Sequence, residues 1–182
     1  MEAVSIFFVF FIYIWVRLAL GHHKTADMKD KKKYERGINL IRDKKYEKAK
    51  EFFETKIKEN PNSSVAWTYR AICHYHLGNT YQSIFDAQKS TSLESTIPES
   101  YLLLGKLYFE LEDYQNACEE YEKAVWYYRE QNIEALKYRG LCYYKLGNIE
   151  KAKFSFEKAL QQGDEESNFY LLQIDRNQKY SY

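Results

Sequence analysis

Residues 101–125 read YLLLGKLYFELEDYQNACEEYEKAV, and the reading of this stretch decides the fold. Tyr101, Leu104, Gly105 and Tyr108 fall at i, i+3, i+4 and i+7, one face of a helix. Beyond a turn around Glu112, Ala117, Tyr121 and Ala124 make a second inward stripe. Gly105 and Ala117 are small because the two helices must cross closely there. A larger side chain at 105 would overpack the crossing at a cost of about 1–3 kcal/mol. The unit is a helix–turn–helix hairpin.

Outward from this unit the same slots recur. Gly37, Ala71, Gly105 and Gly140 are 34, 34 and 35 residues apart, and Ala49, Ser83, Ala117 and Ala152 keep that spacing, as do Phe53, Ala87, Tyr121 and Phe156. A fixed period near 34 residues predicts a stack of helix pairs. Such a stack presents an extended concave surface to partners and has no ready place for a catalytic cleft. The 182 residues include only two prolines and seven glycines, five of which (Gly37, Gly78, Gly105, Gly140, Gly147) fall on repeat slots. Little is left for sheet turns or a disordered linker.

Chemistry-bearing groups do not assemble into a site in the sequence. A net charge of +1 gives no reason to expect nucleic acid. Cys73, Cys118 and Cys142 are odd in number and wrongly spaced for a zinc knuckle or a redox pair. Cys73 and Cys142 share one repeat slot and are expected to be buried, inert thiols. His74 and His76 flank Tyr75, and His22 adjoins His23, so neither pair has the i, i+4 spacing that lets two imidazoles share a metal. Glu119 and Glu120, with Lys123 close by, read as solvated helix surface. No glycine-rich phosphate loop and no nucleophile–base pair occurs, so neither an enzyme nor a cofactor is expected.

The repeats resemble the tetratricopeptide repeat family, whose pattern runs aromatic, Leu, Gly/Ala, Tyr, then Ala, aromatic, Ala and often Pro. AWTYRAICHYHLGNTYQSIFDAQKS places Trp67, Ala71, Leu77, Gly78, Ser83, Ala87 and Ser90 on that pattern. LKYRGLCYYKLGNIEKAKFSFEKAL places Gly140, Tyr143, Leu146, Gly147, Ala152, Phe156 and Ala159 there. The first repeat keeps Gly37, Tyr46, Ala49, Phe53 and Pro61 but departs at Lys33, Arg36 and Lys56, so its first helix is the least regular. The resemblance implies an all-α, right-handed α-solenoid of about four helix–turn–helix repeats within 30–166 (30–63, 64–97, 98–131 and 133–166). Residues 167–182 then supply a capping helix and tail, begun by Phe169 and Leu172 and opened by Asp164, Glu165 and Glu166.

In this family the first helix of each repeat lines the concave groove, at positions outside the packing pattern. Carried onto this chain, the groove residues are Tyr34, Ile38, Tyr69, Ile72, Tyr75, Leu103, Lys106, Phe109, Tyr138, Leu141, Tyr144 and Lys145, with Ile41, Arg42, Thr68, His76, Leu102, Glu110 and Lys137 beside them. The set is apolar and aromatic with scattered basic residues. It suits an apolar peptide or an amphipathic helix, with lysines steering acidic flanks. Tyr75, Phe109 and Tyr144 share one slot and read equally as half-buried framework. One subclass of the family grips chaperone C-terminal carboxylates with Lys, Asn and Arg. The matching positions here hold Tyr34, Ile38, Tyr69, Glu99 and Leu103 or, one repeat later, Thr68, Ile72, Leu103, Glu134 and Tyr138. Chaperone tails are therefore not the expected partner.

Ala3 to Leu20 reads AVSIFFVFFIYIWVRLAL, eighteen residues with one charge near the end. As a helix it reaches about 27 Å, enough for a bilayer core of about 30 Å if Arg17 snorkels. A cleaved signal peptide would carry basic residues before the apolar run, where only Glu2 stands, and a buried helix would show a polar face. The reading favoured is a transmembrane signal-anchor over 1–21, followed by a basic juxtamembrane segment over 22–33. Lys24, Lys29, Lys31, Lys32 and Lys33 form its lipid-proximal cluster. Residues 22–36 carry a net +3 while the N-terminal side has no Lys or Arg, so the N-terminus is expected outside and the repeats in the cytosol. The layout is similar to mitochondrial outer-membrane import receptors and to bacterial inner-membrane assembly factors. The function expected is a membrane-anchored scaffold that recruits a protein partner. The alternatives are a permanent subunit of a membrane complex, which would hide spare aromatics such as Trp126, Tyr127 and Tyr128, and an envelope assembly factor with its repeats outside the cytoplasm.

Overall fold

Alternating helices and tight turns account for the chain from end to end of the described region. The computed structural model describes residues 32–179. After a short helical lead at 32–33, α1 (Glu35–Arg42) pairs with α2 (Tyr46–Glu59), α3 (Ser64–His76) with α4 (Thr80–Leu93), α5 (Pro98–Glu110) with α6 (Tyr114–Tyr127), and α7 (Ile133–Lys145) with α8 (Ile149–Gln161). A final α9 (Glu165–Lys179) packs on α8. The expected transmembrane anchor over 1–21, and Lys24, Lys29 and Lys31, lie outside the described residues; Lys32 and Lys33 are exposed. Among the described residues no helix is long and apolar enough to cross a membrane.

Local sequence sets each helix boundary. Ser63, Asp113, Asn132 and Asn148 cap α3, α6, α7 and α8, each side chain accepting from the backbone N–H three residues on. Pro98 opens α5 at a position where its missing N–H costs nothing. Each pair turns through one left-handed residue in the same slot: Lys44, Gly78, Glu112 and Gly147. The next backbone N–H then donates to a carbonyl five residues back, from Lys45 to Leu40, Asn79 to His74, Asp113 to Tyr108 and Asn148 to Tyr143, at 2.8–2.9 Å. This is a helix-ending bond pattern that glycine favours. It recurs in all four pairs, the first included, although Lys44 and Glu112 take the strained conformation without glycine's freedom.

Matched small and large residues form the core. A Cβ added at Gly105 would stand 2.9 Å from the Tyr121 ring, and one at Gly140 would stand 2.7 Å from Phe156. In the second pair Ala71 and Ala87 meet instead, with Leu103, Leu104 and Leu107 filling the space. The departures in the first repeat are now explained. Lys33 and Arg36 face solvent, and the Lys56 ammonium lies 5.7 Å from the Phe52 ring while pairing with Glu59 at 2.7 Å. In α9 the apolar face is Tyr170, Leu171 and Ile174, with the Tyr170 ring stacked on Phe156 at 5.0 Å. Phe169 and Leu172, the residues that signalled this helix, stand more than half exposed. The Asp164 cap, which accepts from Ser167 N–H and Oγ, turns the helix so that Tyr170 and Ile174 face α8.

Candidate peptide-binding groove

Successive first helices touch one another, α3 with α5 and α5 with α7. Their shared face is therefore the inner side of the stack. Ile38 on α1, Tyr69, Ile72 and Tyr75 on α3, Lys106 and Phe109 on α5, and Tyr138, Leu141 and Tyr144 on α7 are half-buried, and Lys145 is exposed. Two residues placed in the groove by sequence are not there. Tyr34 is fully buried with its ring edge-on to Phe53, and Leu103 lies under the α3–α5 packing. Thr68 is also buried, in a hydroxyl triangle with Ser90 at 2.7 Å and Ser100 at 2.8 Å between the second and third pairs.

Half-burial has a geometric cause at each aromatic. Tyr69 stacks on Phe53 at 5.4 Å and Tyr138 on Tyr121 at 5.6 Å, so each uses its inner ring face for the core. Phe109 meets Tyr138 edge-on at 5.4 Å, which ties α5 to α7 across the surface. The Tyr75 hydroxyl donates to Glu110 at 2.5 Å while Lys106 sits over its ring at 5.2 Å. Burial, followed by the Glu110 bond, raises the Tyr75 pKa, so the phenol remains a donor. His76 stacks on Tyr46 at 4.2 Å, and burial followed by Lys106 lowers its pKa, keeping it neutral.

The charges are arranged differently from the sequence expectation. Lys106 pairs with Glu134 at 3.6 Å, and Lys137 with Glu166 at 2.7 Å and Asp164 at 3.8 Å. Two of the groove's cations are thus neutralised from within, and Lys145 instead lies over the Tyr114 ring at 5.7 Å. Positive steering of acidic flanks is correspondingly weak. Tyr128, at the end of α6, sits close to Tyr69, Glu99 and Glu134; burial first, then Glu99, raises its pKa. Sequence reading left it among the spare aromatics. The signal was present, since Tyr121, Ala124 and Tyr128 continue one stripe at i, i+3 and i+7. The groove is aromatic along its length, with the carboxylates of Glu110 and Glu134 beside the rings.

An α-solenoid of helix–turn–helix units with an aromatic inner face defines a protein-interaction module. Residues 98–129 and 133–162 each match the tetratricopeptide repeat family, so the third and fourth pairs are tetratricopeptide repeats. Among curated proteins, Hsp70-Hsp90 organizing protein 2 of Arabidopsis thaliana is 32% identical over 91 residues, which are 50% of this chain and 16% of that protein. The match thus spans about one sixth of that relative. Among solved structures, MamA superposes with a TM-score of 0.70 at 19% identity, covering 79% of this chain and 84% of the other. The first repeat domain of Spaghetti (RPAP3), bound to the HSP90 peptide SRMEEVD, gives 0.59 at 19% identity over 64% and 93%. At these identities the superpositions speak for the fold.

Proposed function

We propose that this chain is a scaffold that holds an apolar or aromatic peptide, or one face of an amphipathic helix, in the groove of α1, α3, α5 and α7. The observation that carries this reading is the row of half-exposed rings from Tyr69 through Tyr75, Phe109 and Tyr138 to Tyr144, continuous across three helix pairs. Aromatic rings bury large area at low entropic cost and anchor interfaces. The apolar Ala3–Leu20 segment favours display of this scaffold at a membrane, with the repeats on the cytosolic side. Protease added to intact cells or organelles tests that orientation, since protected repeats contradict it in an outer organelle membrane and digested repeats contradict it in a bacterial inner membrane.

A chaperone tail is the second reading, favoured by the organizing-protein relative and by the peptide in the Spaghetti structure. Against it, Glu99 and Glu134 stand where a carboxylate-gripping groove needs donors, and a carboxylate has no proton to donate. The test is a paired affinity capture from solubilised membranes, with the native chain and a Tyr69→Ala, Phe109→Ala, Tyr144→Ala variant that retains its circular dichroism. A partner lost only from the variant supports the groove. Retention by both baits overturns it and points to a permanent complex, for which exposed Tyr81 and Phe85 on α4 would provide the surface. Titration with SRMEEVD separates the two readings: tight binding abolished by amidating its C-terminus would establish the chaperone-tail mode.

A further inference from the structure

A second cleft, of 660 Å³, opens where α6, the α6–α7 loop and the side of α7 meet, lined among others by Glu122, Val125, Trp126, Arg129, Glu130 and Arg139. None of the twelve groove residues lines it. Its size falls in the range of about 300–1,000 Å³ typical of ligand sites. Trp126 is 78% exposed at its edge, among the most exposed large apolar side chains described.

The repeat register supplies an internal control for its chemistry. Arg70 and Arg139 occupy one slot of the second and fourth pairs, and Asp86 and Ser155 occupy the slot facing it. In the second pair Arg70 grips Asp86 through two bonds, Nε at 2.6 Å and a terminal nitrogen at 2.8 Å, with the Trp67 ring 4.6 Å from its guanidinium. This is the forked, charge-assisted geometry that arginine is shaped for. In the fourth pair Ser155 has replaced the acid. Arg139 Nε donates to Ser155 Oγ at 3.1 Å, and among the described residues the terminal nitrogens of Arg139 have no partner.

The neighbouring carboxylates do not fill the gap. Glu122 accepts from the Tyr143 hydroxyl, and Glu130 is held by Lys158 at 3.1 Å. Arg129, like Arg139, forms no ion pair with any described residue. Arg129 and Glu130 are both left-handed (φ 51° and 58°), and Gln162 donates to the Glu130 carbonyl at 2.6 Å, so the loop is pinned to α8. Among the described residues the cleft therefore contains two guanidiniums without an ion-pair partner beside an exposed indole, with Glu130 held by Lys158 and Glu122 bonded to the Tyr143 hydroxyl.

The geometry points to a docking site for an acidic protein segment, one that places an Asp or Glu carboxylate on Arg139 and Arg129 and an adjacent large apolar side chain against Trp126 and Val125. The incoming carboxylate stands where Asp86 stands in the second pair. Charge complementarity selects this occupant, and Trp and Arg together are the side chains that most often anchor interfaces. The site is independent of the groove, so failure of one reading leaves the other intact.

The test uses the full chain in detergent and two fluorescein-labelled nonapeptide pools. One pool has Phe, Trp or Leu flanked by Asp and Glu; the other carries Asn and Gln in place of the acids. Anisotropy is expected to show at least tenfold tighter binding of the acidic pool. Ser155→Asp, which gives Arg139 the internal partner that Arg70 has, should remove that preference, and Trp126→Ala should weaken the acidic pool by at least tenfold. The groove variant should keep both. Arg139→Gln provides a second route should Ser155→Asp not fold by circular dichroism. Equal binding of the two pools, or an acidic preference that survives both Arg139→Gln and Trp126→Ala, overturns the proposal.

Discussion

Gly105→Ala tests whether close helix crossing holds the stack together, because two opposing effects can be weighed. In an isolated helix alanine is better than glycine by about 1 kcal/mol. Here the new methyl would meet Cγ of Tyr121 at 2.9 Å and both Cδ atoms at 3.0 Å, where ordinary contact begins near 3.4 Å. The ring must retreat by about 0.5 Å, yet Tyr121 is fully buried and stacked on Tyr138. Overpacking of this kind costs about 1–3 kcal/mol, leaving a net loss near 1 kcal/mol. For a domain of this size that lowers Tm by about 3 °C. Gly140→Ala is tighter, with 2.7 Å to Phe156, and should lose about twice as much. Thermal unfolding of the three proteins gives the ranking. A double-mutant cycle with Tyr121→Leu should then show coupling, since the smaller side chain removes the clash. A Tm raised by Gly105→Ala would mean that helix propensity wins, and the crossing argument would be refuted. Because Tyr138 rides on Tyr121, the variant should also weaken peptide capture in the groove.

The remaining expectations concern buried polarity and titration. Asp86→Ala strands Arg70, which is only 18% exposed, and should destabilise by about 3 kcal/mol in urea unfolding; a loss below about 0.5 kcal/mol would mean that solvent already screens the pair. His74 and His76 have pKa values lowered mainly by burial, the former despite Asp86 and further by Arg70 and Lys50, the latter further by Lys106. The unfolded chain protonates near pH 6.5 while the folded chain resists, so stability should be full above about pH 7 and fall as the pH drops through 6.5. A Tm that is flat between pH 7.5 and 5.5, or a slope unchanged in His76→Gln, would contradict this. Burial raises the thiols of Cys73 and Cys142 to about 12 and that of Cys118 to about 11. Iodoacetamide at pH 8 should label them only after denaturation, and rapid native labelling would show that the seams open.

The period of 34 residues makes the helix pairs legible because each pair must reproduce a close crossing at the same slots. Spacing put Gly105 in a close crossing with Ala117; the ring that meets it is Tyr121, one turn further on, as Phe156 meets Gly140. What spacing does not report is how far one first helix overlaps the next. For that reason Leu103 and Thr68, which share a helical face with groove residues, disappear into the seam, and Tyr34 turns toward Phe53. The Arg70–Asp86 pair was equally hidden, since its members are sixteen residues apart on different helices and leave no i, i+4 signature. The neutralised lysines were missed for the same reason, because Glu134 and Glu166 belong to elements that follow those of Lys106 and Lys137.

The triangle of Thr68, Ser90 and Ser100 gives the stack a place to part. Between consecutive pairs the α4–α5 junction has the least contact, and a hydroxyl triangle sits in it beside the packing of Leu103, Leu104 and Leu107 on Ala71 and Ala87. Hydrocarbon surfaces can slide over one another while staying dry, whereas hydrogen bonds weaken steeply once stretched or bent. A solenoid loaded from its two ends should therefore yield abruptly at this joint, separating residues 32–93 from 98–179 before either half unravels. A scaffold with such a joint has a built-in fuse at its thinnest seam.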